Sequence, residues 1–182
     1  MRPWRYLVGA EAPLNKWNAM ITIRPFKSSD WPAVWAIIEP IFHAGETYSW
    51  ADITETQAIE LWVDKVSATF VAVDENDCVL GSYYIKPNQP LLGAHICNVG
   101  YVVDELHRGR GIASMMCEHS QADAIGQGFL AMQFNFVVSS NTGAVRLWEK
   151  HGFSTIGIIP QAFQRAGDYI DALIMHKQLQ AV

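Results

Sequence analysis

The sequence predicts a mixed α/β fold, one sheet with helices on both faces, in the order β-α-α-β-β-β-α-β-α-β-β. Three observations carry that expectation. An apolar strand ending near Val103 runs through a glycine-spaced turn into a helix bearing Ile112, Met115 and Met116. Residues 129–138 then read strongly as strand, so strand, helix and strand make a parallel crossover unit. Two more strand-like runs, 153–159 and 168–177, close the chain around a turn at 160–167.

The other elements follow from local patterns. Residues 20–24 alternate and are β-branched, and Pro25 ends that strand. Ser28, Ser29 and Asp30 offer N-caps, and Pro32 suits a first helical turn. Val34, Ile37, Ile38, Ile41 and Phe42 share one face of a helix reaching about His43. The segment 44–50 is irregular and aromatic. A capping box, Asp52 with Glu55 or Thr54 with Gln57, opens a second helix to Val66 with Ala58, Leu61, Trp62 and Val66 on one stripe. Strands at 69–73 and 79–86 flank a polar turn at 74–77, which is a hairpin. A proline-bearing loop leads to the strand at 94–103, and the helix after it spans about 108–125 before Gly126 and Gly128. Asn141 or Thr142 caps a last helix that ends at His151 and Gly152.

Composition sets the outer bounds. A chain of 182 residues, half of them hydrophobic and 17% charged, has enough apolar material for one folded domain and is not a disordered chain. The net charge of −5, from 13 Lys+Arg against 18 Asp+Glu, argues against nucleic acid as a partner. No apolar run approaches the ~20 residues of a membrane helix, so no membrane association is expected. Cys78, Cys97 and Cys117 have neither metal spacing nor a disulfide framework. His43, His95, His119, His151 and His176 lack ligand spacing as well, so no metal is expected. Reduced thiols point to a cytoplasmic protein. Residues 1–19 lack periodicity, and their apolar piece at 6–10 is too short for a signal peptide. The core is therefore expected over 20–179 as a single domain, with 1–19 an extension outside it.

The chemistry concentrates at residues 100–114. Gly109 and Gly111 let a ligand approach the backbone closely. The first amides of the following helix lack internal partners and sit at the positive end of its dipole, a setting suited to a pyrophosphate. Arg108 and Arg110 add formal charge, and His107 beside them reads as a solvated turn residue. A Walker A loop is excluded, since no lysine follows Gly111. A dinucleotide fingerprint is excluded too, because Ser114 stands where its third glycine belongs. What fits is Arg108-x-x-Gly111-x-Ala113, followed later by Asn141-x-x-Ala144-x-x-Leu147-Trp148-x-Lys150-x-Gly152-Phe153.

Those two blocks, in that order and on those elements, resemble the pyrophosphate loop and the pantetheine-lining helix of the GCN5-related N-acetyltransferases (GNAT superfamily). The resemblance covers about residues 20–179. It implies the splayed-strand acyltransferase fold, acetyl-CoA as co-substrate, and direct acetyl transfer to an amine. The donor site it implies comprises Tyr101, Val102 and Val103 along the strand, then Arg108, Gly109, Arg110, Gly111, Ile112, Ala113 and Ser114 around the pyrophosphate. Asn141, Ala144, Trp148 and Lys150 follow on the last helix. The backbone N–H of Tyr101 is expected to polarise the thioester carbonyl, as an oxyanion donor must.

Two positions depart from the family pattern. Trp148 stands where a thiolate-protonating tyrosine is common, and Cys97–Asn98 where some members keep a glutamate. Asn98 and Asn141 are left as the polar groups at the reaction centre, in a mainly positional mechanism with water or Glu46 relaying the proton. The acceptor wall is expected from Glu46, Tyr48 and Trp50, with Asn135 lining the pocket. The preferred acceptor is a small-molecule amine: an amino acid, an amino-acid analogue or a toxic amine. A looser likeness at 157–177 and the Asn98 strand is to the branch containing yeast enzymes that acetylate proline analogues. Acetylation of a protein or peptide, and a non-catalytic acetyl-CoA-binding sensor, are the alternatives; a homodimer is the assembly held open.

Overall fold

The computed structural model describes residues 21–180, so the extension expected at 1–19 lies outside the described residues. Seven strands form one sheet in the order β1-β2-β3-β4-β5-β7-β6. They are β1 (Thr22–Pro25), β2 (Ala68–Val73), β3 (Val79–Pro87), β4 (Ile96–Val103), β5 (Ala131–Val138), β6 (Ser154–Arg165) and β7 (Asp168–Gln178). Only β4 and β5 run parallel, as the crossover through α3 (Ile112–Gly126) requires. Helices α1 (Trp31–His43) and α2 (Glu55–Ile59) cover one face, and α3 and α4 (Thr142–Lys150) cover the other. The element order matches the sequence expectation.

The pleat assigns each face its core. Tyr83, Ile85, Cys97 and Val99 pack with Ile112, Met116, Cys117 and Trp148. Their strand neighbours Tyr84 and Val102 turn the other way, toward Val34, Ile38, Phe42 and Trp62. Arg24 ties β1 to the start of α1 through two contacts to the buried Asp30 carboxylate, at 2.7 and 3.0 Å. Those hydrogen bonds hold the Asp30 carboxyl below its ordinary value.

Three elements differ from the sequence expectation, each for a local reason. The second helix takes the Thr54–Gln57 capping box, with Gln57 N–H on Thr54 Oγ1 at 3.3 Å. It does not run on to Val66: beyond Ile59 the chain widens into a π turn, Glu60–Asp64. That turn buries Trp62, whose indole N–H donates to Ser82 Oγ at 3.0 Å. The third helix begins at Ile112, not near Arg108, because Gly109 and Gly111 both sit at positive φ, near 78° and 79°. Helical backbone cannot continue through them, so residues 108–111 stay a loop. Finally, residues 160–167 are not one turn. Pro160 lacks an N–H and Gln161 is left-handed at φ 53°, which makes a bulge whose Gln161 N–H bonds Asp171 Oδ1. Strand β6 resumes to Arg165, and the reversal is made by Ala166 and Gly167, both at positive φ as a two-residue hairpin turn favours.

Candidate active site

Strands β4 and β5 pair only at Ile96–Ala131 and Cys97–Met132, then part. A bulge on β5 at Asn135 and Phe136 bends that strand away, since its ladder to β7 jumps from Phe134 to Val137. The carbonyl of Gln133, just past the last β4–β5 pair, accepts instead from the Asn98 side-chain amide at 2.9 Å. Asn98 therefore pins the crotch of a fork. Tyr101 presents its backbone edge to the opening. The Asp104 N–H bonds the Leu80 carbonyl, and counting down the antiparallel register from that pair turns the backbone groups of Tyr101, opposite Tyr83, away from β3. Its carbonyl accepts from the Tyr48 hydroxyl at 2.9 Å, and its N–H faces the same side.

Aromatic side chains wall the fork on both faces. On the α3/α4 side, Trp148 lies 5.0 Å from the Tyr101 ring and 4.8 Å from Phe134, which stacks on Phe153 at 4.5 Å. On the α1/α2 side, Tyr48 stacks with Trp50 at 5.7 Å and packs on Phe42 at 4.8 Å, while Trp62 meets Tyr84 edge-on at 4.9 Å. Gly100 makes the second wall possible. A Cβ there would lie 2.5 Å from Tyr84 Cε1, so only glycine lets that ring lie across β4. Burial pushes the Tyr48 and Tyr101 hydroxyls well above their ordinary value, and Tyr84 and the Cys97 thiol up to about 12. None of these four supplies a base at neutral pH.

Two cavities meet at the fork. One, of about 810 Å³, runs along the glycine loop, the start of α3 and the start of α4. Helix α3 has no side-chain cap, because its N-cap is Gly111, so its first-turn amides are left to whatever occupies that cavity. By contrast Asn141 caps α4, its Oδ1 accepting from the Ala144 N–H at 3.1 Å, which leaves its NH₂ as the group available to a ligand. The Ser114 hydroxyl, on the first turn of α3, is held 2.6 Å from His151 Nε2. Arg108 pairs with Glu105 at 3.0 Å and His107 with Asp104 at 2.8 Å. The second cavity, of about 360 Å³, runs through the fork from Tyr48, Trp50 and Tyr84 on the α1/α2 face to Phe134 and Trp148 on the other.

The site residues expected from sequence fall as follows. Tyr101, Val103, Arg108, Gly109, Gly111, Ile112, Ala113, Ser114, Asn141, Ala144, Trp148 and Lys150 all border the larger cavity. Val102, Asn98, Tyr48, Trp50 and Asn135 border the smaller one. Two fit less well. The Arg110 side chain borders neither cavity, and its charge acts on Asp74. Glu46 borders the larger cavity, not the smaller, as the ion-pair partner of Arg165 from the far end of β6. Asn135 stands on the bulge, tied to Gln133 at 2.9 Å and Asn88 at 2.5 Å. The structure adds Thr47, Tyr84, Lys86 and Phe134 to the lining, none of which carries a motif. Gly100 was the available signal, since a glycine inside a strand marks close approach of another group. Among the described residues no cluster of His, Cys, Asp and Glu could hold a metal, and no helix is long and apolar enough to cross a membrane.

A glycine loop opening α3, a fork between two parallel strands and a capped α4 beside it define the acyltransferase class. The sequence pattern of the Acetyltransferase (GNAT) family matches residues 31–153, and the chain belongs to that family. It is similar to N-acetyltransferase aca1 of Schizosaccharomyces pombe, at 38% identity over 105 residues, 57% of this chain. The match spans half the length of that yeast relative. The solved structure of a GCN5-related N-acetyltransferase from Kribbella flavida is 38% identical, with 88% of this chain and 99% of that one covered and a TM-score of 0.84. A phosphinothricin acetyltransferase from Sinorhizobium meliloti, solved in complex with acetyl-CoA, shares the fold at 17% identity and a TM-score of 0.79, over 88% of this chain and 89% of its own.

Proposed function

We propose that this chain transfers the acetyl group of acetyl-CoA to the amine of a small molecule. The observation that carries the reading is the fork itself: the strand ladder stops at Cys97–Met132, and the Tyr101 N–H, turned off the β3 ladder, lies between a nucleotide-sized cavity and a small aromatic one. The residues fit the co-substrate. The uncapped first-turn amides of α3 suit its diphosphate, with Arg108 and Lys150 at the rim. The edge at Tyr101 to Val103 offers its pantetheine strand-like hydrogen bonds, and Asn141 offers an NH₂. Bound acetyl-CoA supplies an acyl group activated as a thioester.

The protein's part is mainly placement. The Tyr101 N–H would meet the carbonyl oxygen as charge develops on it. Asn98 fixes how deeply the fork opens, and Trp148 closes the floor with an indole N–H too weakly acidic to act as a tyrosine would. No carboxylate of the described residues borders the smaller cavity, so the amine loses its proton to water. Glu46 is engaged by Arg165, which speaks against it as the relay. The small, aromatic-walled acceptor cavity favours a small molecule over a protein substrate.

Release of free thiol from acetyl-CoA, measured with a panel of amines, tests the reading. Turnover with at least one small amine is expected, with losses of about 10- to 100-fold for Asn98→Ala and Asn141→Ala. Acetyl-CoA binding without turnover on any amine would favour the sensor instead.

A further inference from the structure

Among the described residues, the smaller cavity is bordered by basic side chains and no acidic one. Of its two cations, Arg108 is paired with Glu105, whereas Lys86 makes no ion pair among the described residues. The Lys86 ammonium lies 5.3 Å from the centroid of the Tyr84 ring, half-buried at the cavity wall. Among the described residues a ring face is its one partner, so the ammonium is open to an anion entering the cavity.

Register fixes where that charge sits. Lys86 lies opposite Asn98 and Tyr84 opposite Gly100, all on the α1/α2 face of the sheet. By leaning over the Tyr84 ring, Lys86 carries its ammonium toward the Gly100 level. Gly100 is one residue, roughly 3.4 Å of strand, from the Tyr101 edge where the reacting amine must come. The distance from reaction centre to positive charge is thus short.

We propose that Lys86 binds an anionic group on the acceptor, and that the acceptor is an amino-acid-like molecule whose amine lies a few bonds from a carboxylate or a comparable acid. The proposal rests on the acetyl-transfer reading and sharpens its acceptor. The Lys86 ammonium also disfavours polyamines and other acceptors whose charge is only positive.

The test compares free amino acids with their own methyl esters, using thiol release by the wild-type protein, Lys86→Met and Lys86→Arg. Wild type should favour the acid over its ester by about tenfold or more. Lys86→Met should raise KM for the acid by about 10- to 100-fold, leaving the ester and the Kd of acetyl-CoA nearly unchanged, and Lys86→Arg should recover part of the loss. Wild type using esters as well as acids overturns the assignment even if Lys86→Met fails to fold, as does a preference that survives Lys86→Met. Acetylation of uncharged amines alone would sink Lys86 as an anchor and leave acetyl transfer standing. Failure to bind acetyl-CoA, or to acetylate any amine, would sink the transfer reading and this proposal with it.

Discussion

The donor and acceptor sides of the fork are built by different means. The donor side is backbone: positive-φ glycines, the first turn of α3 and the edge of β4 beyond its pairing with β5. The acceptor side is side chain: Tyr48, Trp50, Tyr84 and Lys86, brought from two separate stretches and held by ring packing. A surface of backbone amides recognises what every member of a family shares, because almost any sequence that makes the turn presents it. A surface of side chains can change with single substitutions. Donor recognition should therefore respond to backbone changes and acceptor recognition to side-chain volume and charge, each without the other.

The sharpest way to break that separation is Gly111→Val. A β-branched residue at φ 79° is strained and sets a side chain against the amides of α3. Titration calorimetry should show acetyl-CoA affinity falling by about 100-fold or more, an effect on the scale of a lost phosphate cradle. Gly100→Ala is its counterpart. The added methyl displaces the Tyr84 ring, and kcat/KM for the acceptor should fall by about 10- to 100-fold while the Kd of acetyl-CoA stays put. Equal losses on both sides would show the two halves to be one cooperative unit.

Stability gives a smaller contrast. Trp62→Phe shrinks a buried ring and takes the indole N–H from Ser82 Oγ, which keeps only its bond to the Phe70 carbonyl, and chemical denaturation should register a loss of about 1–3 kcal/mol. On the α3 side, burial lowers the values of His119 and His151 from the ordinary 6.5. The unfolded chain then binds more protons than the folded one just below pH 6.5, so stability must fall as pH drops through that window. A His151→Gln variant should show a shallower fall between pH 7.5 and 5.5 than the wild type. Smallest of all is Glu46→Gln, which removes an exposed ion pair with Arg165. It should change turnover by no more than about two- to threefold, whereas a hundredfold loss would reinstate Glu46 as the proton relay.

The same division explains what the sequence disclosed. Gly109 and Gly111, the Asn141 cap, the Thr54–Gln57 box and the alternating strands are local patterns, legible without knowing what lies across the sheet. The start of α3 lies beyond where the pattern puts it, because Arg108 looks helical until the dihedral demands of both neighbouring glycines are counted. Lys86 opposite Asn98, Asn98 reaching Gln133, and Arg165 meeting Glu46 depend on register and on residues far apart in the chain. The bulge at Pro160 lengthened β6 where a proline and a nearby glycine had suggested a single reversal.

Gly111 carries one last consequence. A helix start ordinarily has a serine, threonine, aspartate or asparagine to receive its leading N–H groups, as α4 has in Asn141; α3, which supplies much of one core, has none. An anionic guest would finish a piece of secondary structure that the polypeptide leaves unfinished. Such a guest acts as a structural part as well as a reactant, and the melting temperature should climb with its concentration even when no acceptor is present.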